Sequence, residues 1–412
     1  MNIDISIIRK LGGPALLAAL AGLPGAAHAG VFVQCPGDTN GDAKWTLAGE
    51  TQPKNVVCKH LTGGDGFITM ADGRQMYTFG FDDVTGTPAK DVVLNLARAN
   101  FVAPLIELNE GDQFYLTLSN VGMVARPDLF DTHSVHFHGF ANQAPIFDGV
   151  PEGAMTVNMG ASVTYFYNLN EPGTYMYHCH VEAAEHIQMG MQGQLFVKPR
   201  QDGTSKTYKG KTYTKFVYND GDGSTGYTKA VALQLTAFDT ATHEADFGIQ
   251  PIPFNEMKTV YPMINGRGYP DTANPDPLPP TQVDPYTAGT TFQSQKTTSL
   301  VTLNRSAEGS RLLLRLSNLG VADYYTVTAH GLPMTVVGAG ARQLRGPTGK
   351  DLYYDTASVT LGGGESVEII IDASAVPAGT YFFYTTNLNF LSNNQEDFGG
   401  MMTEIVITGD PS

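Results

Sequence analysis

Short runs of alternating apolar and polar residues dominate the chain from about residue 91 onward. Such period-two alternation places successive side chains on opposite faces of a β-strand. Examples are the runs at 91–97, 113–120 and 162–167, and glycine, proline and asparagine are frequent between them. Short alternating strands bounded by turn residues predict an antiparallel β-sandwich or barrel, and signals for helices are few.

The second half of this region repeats the first. The run Gly111-Asp-Gln-Phe-Tyr-Leu-Thr-Leu-Ser-Asn120 returns as Gly309-Ser-Arg-Leu-Leu-Leu-Arg-Leu-Ser-Asn318. Each half also closes with a Gly-Met pair followed by an apolar strand. Because duplication of one unit produces this pattern, we predict an all-β chain with two tandem sandwich domains, at residues 91–200 and 210–412.

Residues 1–29 have the pattern of a secretory signal peptide. Arg9 and Lys10 precede an apolar run at 11–23, and Ala27-His-Ala29 matches a cleavage site. The apolar run is too short to be favoured as a membrane anchor, and no later segment is long and apolar enough to span a bilayer. We therefore expect a periplasmic or secreted protein that is not embedded in a membrane.

Residues 30–90 are rich in glycine and aspartate, and we interpret them as an N-terminal extension with a strand or two. Two of the three cysteines, Cys35 and Cys58, lie in this segment. Export makes a disulfide possible, so these two are the natural pair. Cys179 then remains single, which in a secreted chain indicates a reactive or metal-binding thiol.

The segment Asp38-Thr-Asn40-Gly-Asp42 resembles the beginning of a calcium-binding loop. Such loops need glycine at the sixth position and glutamate at the twelfth, where this chain has Ala43 and Gly49. We therefore favour a simple turn over a calcium site at this position.

The chain is acidic, with 40 Asp and Glu against 25 Lys and Arg and a formal charge of −15. An acidic surface repels a phosphate backbone, so nucleic acid is not an expected partner. The same charge would suit a basic redox partner protein, although it also simply keeps a surface soluble.

The densest chemistry lies between Tyr175 and Met191. From His178 to its end, this run contains three histidines, one cysteine and two methionines, at His178, Cys179, His180, His186, Met189 and Met191. Imidazole binds many transition metals, whereas thiolate and thioether favour soft ions such as Cu(I). A copper site is therefore favoured over a buried structural cysteine with surface histidines.

A second histidine cluster, at His133, His136 and His138, lies upstream. His136 and His138 are two residues apart, as are His178 and His180, so each pair points to one face of its strand. Cys179 then points to the opposite face. This alternation predicts two metal sites separated by the thickness of one strand.

The motifs resemble those of the multicopper oxidases and their two-domain relatives, including copper nitrite reductases, which consist of cupredoxin domains. His133-Ser-Val-His136-Phe-His138-Gly is similar to the family's H-x-x-H-x-H-G motif. Tyr177-His178-Cys179-His180 is similar to its H-C-H motif. The resemblance extends from about residue 91 to the C-terminus and implies two Greek-key cupredoxin-like sandwiches with copper as the cofactor.

The resemblance also implies a role for each ligand. His133, Cys179, His186 and axial Met191 would form a type 1 electron-transfer site, with Met189 as a weaker axial candidate. Asp148 matches a family acid thought to serve proton transfer, although it could equally be a turn residue before Gly149. The remaining ligands would bind the type 2 and type 3 coppers and are His136, His138, His178 and His180.

The second domain departs from the family pattern. A trinuclear cluster needs eight histidines, four from each of two domains. Here the counterparts of the first domain's ligands are mostly not histidine, and they are Tyr325, Thr328, His330, Tyr384, Thr385 and Thr386. His330 resembles both a structural histidine of copper-free domains and a catalytic histidine of nitrite reductases.

The resemblance implies an exported copper-dependent oxidoreductase that takes electrons at type 1 copper and passes them through the His-Cys-His motif. Its donor would be a small reductant or a redox partner protein, and two-domain relatives suggest a homotrimer. A non-enzymatic electron carrier or copper-handling protein is the alternative. Nitrite reduction is disfavoured, because His136 replaces the catalytic aspartate of those enzymes and Thr386 replaces a copper ligand.

Overall fold

A computed structural model describes residues 32–140, 144–279, 282–283, 291–292 and 294–410. The predicted signal peptide, 1–29, lies outside these residues. The described part is built mainly of β-strands, and its helices are short: α1 (Ala89–Val92), α2 (Ala183–Met189), α3 (Thr240–Phe247) and α4 (Arg305–Glu308). None of the helices within the described stretches has the length and apolar character needed to cross a bilayer.

The first half forms two facing four-stranded sheets. In spatial order they are β2-β1-β4-β6 and β3-β8-β7-β5. Alternate residues of β4, at Phe114, Leu116 and Leu118, are fully buried between the sheets, as the period-two pattern predicted. The strands are β1 (Val56–Thr69), β2 (Gln75–Asp83), β3 (Ile106–Asn109), β4 (Gln113–Gly122), β5 (His136–Phe137), β6 (Ser162–Asn168), β7 (Gly173–His178) and β8 (Gln192–Lys198).

The second half repeats this frame with larger sheets. Their orders are β14-β13-β18-β24-β20-β21, with β22 beside β20, and β17-β26-β25-β19-β23. The major strands are β13 (Lys229–Phe238), β14 (Tyr261–Ile264), β17 (Val301–Asn304), β18 (Arg311–Asn318), β19 (Tyr325–Ala329), β20 (Met334–Ala339), β21 (Arg342–Gln343), β22 (Tyr354–Thr356), β23 (Val359–Leu361), β24 (Glu365–Asp372), β25 (Gly379–Thr385) and β26 (Met402–Thr408).

Three small two-stranded sheets complete the fold of the described residues. They consist of β9 (Lys206–Tyr208) with β10 (Lys211–Tyr213), β11 (Lys215–Phe216) with β12 (Gly226–Tyr227), and β15 (Gln282–Val283) with β16 (Thr291–Phe292). The first two of these pairs follow β8 and lie between residues 206 and 227. The prediction of an all-β protein made of two tandem sandwiches is confirmed.

The predicted N-terminal extension, 30–90, does not stand outside the first sandwich. β1 pairs in parallel with β4 from Val56 to Gly64, and it pairs with β2 from Leu61 to Thr69. In the second half, β13 and β14 hold the same positions beside β18. The predicted boundary at residue 91 therefore separates β1 and β2 from the sheet that they form with β4 and β6. Its sequence signal was weak because glycine and aspartate interrupt the apolar pattern of β1.

The run at 91–97 is not a strand, contrary to its alternating pattern. Pro88 precedes the single helical turn of α1, and turns follow it. Val93 and Leu94 are exposed, by 47% and 69% respectively, so the apolar side chains do not all face one core. The fixed backbone angle of proline favours the first turn of a helix, which overrides the short alternation.

The N-terminal segment is fastened to the first sandwich by a disulfide between Cys35 and Cys58, the second of which lies on β1. Near it, both carboxylate oxygens of Asp38 accept hydrogen bonds from backbone amides of the same turn, including those of Gly41 and Ala43. The segment that resembled a calcium loop is thus a turn held by its own side chains.

Buried polar contacts join the two sandwiches. The Thr174 amide on β7 donates to Glu368 on β24 at 2.8 Å, and Gln194 on β8 donates to Ser317 on β18 at 3.0 Å. From the second half, the His243 ring lies 3.0 Å from the carbonyl oxygen of Gln188 in α2. These contacts fix the second sandwich against the segment that carries Cys179 and the following loop.

Candidate metal centres

The first ligand group contains His133, Cys179 and His186, whose ligand atoms all lie within 4.8 Å of one another. Cys179 directly follows β7, His186 lies in α2, and His133 forms an isolated bridge with Val157. Strand alternation from Cys179 could not place His133, because an irregular segment carries it to the site. All three side chains are fully buried.

Charge in this group is matched to a metal ion. Burial raises the pKa of the Cys179 thiol, but the imidazoles of His186 and His133 outweigh it and lower that pKa to about 5. The Nδ1 atom of His186 lies 3.1 Å from Sγ, and the backbone amide of Ser134 donates to Sγ at 3.4 Å. A cation can replace the proton shared by this thiolate and imidazole, because ligands release protons when they bind a metal.

His133 gives independent support for a bound ion. Its ring is fully buried, yet neither of its nitrogens has a hydrogen-bond partner among the described residues. An imidazole left in this state costs stability unless a ligand compensates it. Added Cβ atoms at Gly63 would lie 2.9 Å from the His133 ring and 3.2 Å from the terminal methyl of Met191. The thioether of Met191 is therefore close to the group.

A thiolate, two imidazoles and a nearby thioether form the donor set of a type 1 copper site. Met189, the weaker axial candidate, is also fully buried, in α2, and its carbonyl oxygen accepts a hydrogen bond from Thr78. The residues present therefore fit copper at this position.

Asp131 is the functional neighbour that sequence reasoning missed. Its Oδ2 atom lies 3.0 Å from Nε2 of His186, on the side of the ring opposite Cys179. Burial raises the pKa of Asp131, but the contact with His186 outweighs it and lowers that pKa. A carboxylate beside the second nitrogen of a metal-binding histidine helps to orient the ring. The only sequence signal was an acid two residues before His133.

The second ligand group contains His136, His138 and His178, again with ligand atoms within 4.8 Å of one another. β5 pairs antiparallel with β7, and this register places His136 directly opposite His178. His138 continues from β5 on the same face as His136, as alternation predicts. Two neighbouring strands thus bring three imidazoles together, which is the convergence that the two sequence clusters suggested.

The three imidazoles are held by their outer nitrogens. Nδ1 of His136 lies 2.7 Å from the carbonyl oxygen of Asp148, and Nδ1 of His178 lies 2.7 Å from that of Cys179. Nδ1 of His138 lies 3.3 Å from the carbonyl oxygen of Gly364 in the second sandwich. When each Nδ1 donates its proton to a carbonyl, each Nε2 carries the lone pair that a metal needs.

In this tautomer no proton lies between the inner nitrogens of His138 and His178, which face one another. Nε2 of His138 and Nε2 of His178 are 2.9 Å apart. Burial lowers the pKa of His178 to about 3 and also lowers the pKa values of His136 and His138. Neutral imidazoles are the form that binds metals, and imidazole ligands suit copper. The three residues therefore fit a copper ion as well.

His180 lies at the margin of this group. Its ring centroid is 5.0 Å from that of His136 and 5.7 Å from that of His178, but its ligand atoms are not within the 4.8 Å set. Asp148 contacts His136 mainly through its carbonyl oxygen, and its carboxylate lies 3.5 Å from the same ring. It occupies a tight turn and also lines the cavity beside the site, so both interpretations of Asp148 apply to its position.

The second sandwich places no imidazole opposite this group. Its two histidines in the sequence are His243 and His330. His243 is buried with its ring nitrogens 2.6 and 3.0 Å from carbonyl oxygens of the first sandwich. His330 is exposed in the turn after β19 and belongs to none of the close ligand groups in the described residues. The residues present therefore do not fit a trinuclear cluster of eight histidines.

Two sandwiches with these two ligand groups define a copper-binding protein. Family models described as multicopper oxidase match residues 84–202 and 227–409. The chain belongs to the multicopper oxidase family, whose members depend on copper, and both the predicted family and the predicted cofactor are confirmed.

Curated relatives agree with this assignment. The chain is 24% identical over 289 residues to Laccase-3 of Thanatephorus cucumeris. This aligned region covers 68% of this chain and 41% of that protein. It is 30% identical over 180 residues to a copper-containing nitrite reductase of Neisseria meningitidis, covering 43% of this chain and 38% of the relative. The chain thus spans less than half the length of these relatives.

Solved structures show the same fold. The blue copper oxidase from Nitrosomonas europaea superimposes with a TM-score of 0.61 at 21% identity, covering 85% of this chain and 86% of that one. The copper nitrite reductase from Nitrosomonas europaea gives a TM-score of 0.58 at 15% identity, covering 87% and 95%. The predicted pair of cupredoxin-like sandwiches is therefore confirmed.

Proposed function

We propose that the protein is an exported copper-dependent oxidoreductase. In this proposal His133, Cys179, His186 and Met191 hold a type 1 copper, which accepts electrons one at a time from a donor. Electrons then pass through the His-Cys-His motif to a second copper site at His136, His138, His178 and His180. The donor is a small reductant or a redox partner protein.

The observation that carries this proposal is the position of Cys179 between the two ligand groups. Its sulfur belongs to the first group, and the preceding residue, His178, belongs to the second. The carbonyl oxygen of Cys179 also lies 2.7 Å from Nδ1 of His178. The two residues are therefore linked by a hydrogen bond as well as by the peptide bond. One residue therefore joins a soft electron-accepting site to a histidine site.

The surrounding residues keep this connection rigid and dry. Cys179 and His186 are fully buried, and His178 is 3% exposed. The Ser134 amide donates to Sγ of Cys179, while the Ser134 hydroxyl accepts from the amide of His180 at 3.1 Å. A single residue thus braces both sides of the motif, which lowers the reorganisation required when charge at the site changes.

The test is turnover by the copper-loaded protein. A blue protein that consumes oxygen with a phenolic or metal-ion reductant is the expected result, and Cys179→Ser should abolish both the colour and the turnover. The matched control is His330→Ala, which changes an exposed histidine outside both ligand groups. A colourless copper-loaded protein would contradict the type 1 assignment, and unchanged turnover in Cys179→Ser would contradict the proposed route.

A non-enzymatic electron carrier or copper-handling protein is the second candidate. It is favoured by the second sandwich, which presents a glycine carbonyl to His138 where an oxygen-reducing cluster requires further histidines. This candidate predicts a blue protein that is reduced and reoxidised by partners without consuming oxygen. The oxygen-uptake measurement therefore distinguishes the two functions.

A further inference from the structure

The surface that the second sandwich turns toward the three-histidine group contains glycines, apolar residues, Asp323 and Tyr324, but no histidine. A cavity of about 440 Å³ lies beside His138 and His178, and its far wall includes Leu319, Gly320, Gly363 and Gly364. Acidic and aromatic side chains also line it, but imidazoles from the second sandwich do not. The far wall therefore offers one carboxylate, that of Asp323, and no further imidazole to a copper ion.

The three histidines of the first sandwich already satisfy the requirements of one ion. Their outer nitrogens are each anchored to a carbonyl oxygen, which leaves three inward lone pairs. Two of those inner nitrogens, on His138 and His178, are only 2.9 Å apart. In the tautomer whose Nδ1 atoms carry the protons, these two nitrogens both present lone pairs, which repel each other, and a single cation between the rings relieves the repulsion.

A second ion in the same place would lack ligands. His180 is the one further histidine beside the group, and its ligand atoms lie outside the 4.8 Å set. His243 is committed to carbonyl oxygens of the first sandwich, and one exposed residue, His330, is all that a neighbouring copy could add from its second sandwich. Each copper of a cluster needs several imidazoles. The imidazoles available at this site are sufficient for one ion.

We propose that the second centre is mononuclear and complete within one chain. Of the four histidines proposed above for this site, His136, His138 and His178 hold one copper ion and His180 stays at its margin. The second sandwich supplies the Gly364 carbonyl that orients His138. The protein then carries two coppers per chain. This proposal rests on the proposed function only for the identity of the metal, because the number of ions is measured without any turnover.

Gly364 shows how closely the second sandwich approaches. It has a φ of +86°, and an added Cβ would lie 2.8 Å from Cε1 of His138. The amide of Gly364 donates to the Asn318 carbonyl at 2.8 Å, which fixes the loop between β23 and β24. Only glycine permits both this backbone conformation and this contact. The position is therefore suited to holding the imidazole rather than to replacing it.

Copper counting with electron paramagnetic resonance tests the nuclearity. We expect two coppers per chain, both paramagnetic when oxidised, one with the narrow hyperfine splitting of a type 1 site and one without it. His138→Ala should retain the blue copper and lose the other, and Cys179→Ser should do the reverse. Three or four coppers per chain, or a copper pair that is silent in the spectrum, would overturn the proposal.

A pair of glycine variants tests the role of the second sandwich. Gly364→Ala places a methyl group against His138, whereas Gly349→Ala has nearly the same φ, +82°, with nothing within 4 Å of the added Cβ. Both substitutions strain the backbone, but only the first disturbs the ligand. Loss of a supporting contact typically weakens metal affinity about 10- to 100-fold. We expect that loss for the second copper in Gly364→Ala alone, and equal affinities in the two variants would refute the role.

Completeness within one chain is tested by dilution and by His330→Ala. Copper content is measured at concentrations where light scattering shows the mass of one chain. Two coppers in the single chain and in His330→Ala are expected. Loss of the second copper on dissociation, or in His330→Ala, would show that a neighbouring copy supplies a ligand and would overturn this part of the proposal. A protein with two coppers but no turnover would refute only the proposed function.

Discussion

Replacing Asp131 by asparagine should raise the reduction potential of the type 1 site. Oδ2 of Asp131 lies 3.0 Å from Nε2 of His186, and the Asp131 side chain is only 12% exposed. Contact with His186 holds its pKa below the usual value despite burial, so the carboxylate is charged at neutral pH. Asparagine keeps the shape and an accepting oxygen while removing the charge.

The size of the shift in reduction potential follows from the distance between the carboxylate and the copper ligands across the His186 ring. Nδ1 on the far side of the His186 ring lies 3.1 Å from Sγ of Cys179, so the carboxylate is separated from this donor pair by a single ring. A unit charge at about 7 Å in an effective dielectric of about 20 contributes about 2.4 kcal/mol. Since about 1.4 kcal/mol equals about 59 mV for one electron, the upper bound is about 100 mV. Solvent screening of the partly exposed carboxylate reduces this to about 50 to 100 mV.

The assay is a spectroelectrochemical titration of the blue absorption, with Asp128→Asn as the matched control. Asp128 belongs to the same loop and loses the same charge, but it is paired with Arg126 and its side chain is 46% exposed. We expect a shift at least several-fold smaller for Asp128→Asn. A fall in potential in Asp131→Asn, no shift at all, or equal shifts in the two variants would refute the assignment of Asp131.

Three further outcomes are expected. Replacing Cys35 and Cys58 together by serine should lower the free energy of unfolding by about 3 kcal/mol, because the cross-link spans 23 residues; denaturant titration measures this, and an equally stable variant would contradict it. His243→Ala should cost about 2–4 kcal/mol, since carbonyls buried at the joint between the sandwiches lose a donor, whereas exposed His330→Ala should stay within about 0.5 kcal/mol. Removing copper with a chelator should lower the melting temperature and leave the circular dichroism of the strands unchanged, and loss of the strand signal at room temperature would contradict a preformed fold.

Much of the fold could be predicted from the sequence because the same alternation of apolar and polar residues occurs in both halves. Alternation in 113–120 and its copy at 311–318 marked the central strands of both sandwiches correctly. The strands at 56–69 and 75–83 were harder to recognise, since their glycines and aspartates break the apolar pattern. Their place in the sheet depends on pairing between β1 and the distant strand β4, and the local pattern of residues does not reveal such pairing.

The site shows the same division between local and long-range information. The pairs His136–His138 and His178–His180 were assigned to one face by alternation alone, and strand pairing then brought the first three of these residues together. Asp131 and Gly364 carry no comparable signal. The first acts through its contact with His186 in α2, and the second contacts His138 from 226 residues away in the chain. Contacts between distant segments decide both positions.

The repeat also indicates that the frame of the copper loop does not depend on copper. In the first sandwich the Cys179 amide donates to the Met191 carbonyl at 3.1 Å, and in the second the Thr385 amide donates to the Met401 carbonyl at the same distance. The same backbone closure thus forms with and without a thiolate at the strand end. Strand pairing stabilises this geometry in both halves. Loss of the metal should therefore abolish electron transfer at the first site and leave its backbone geometry unchanged.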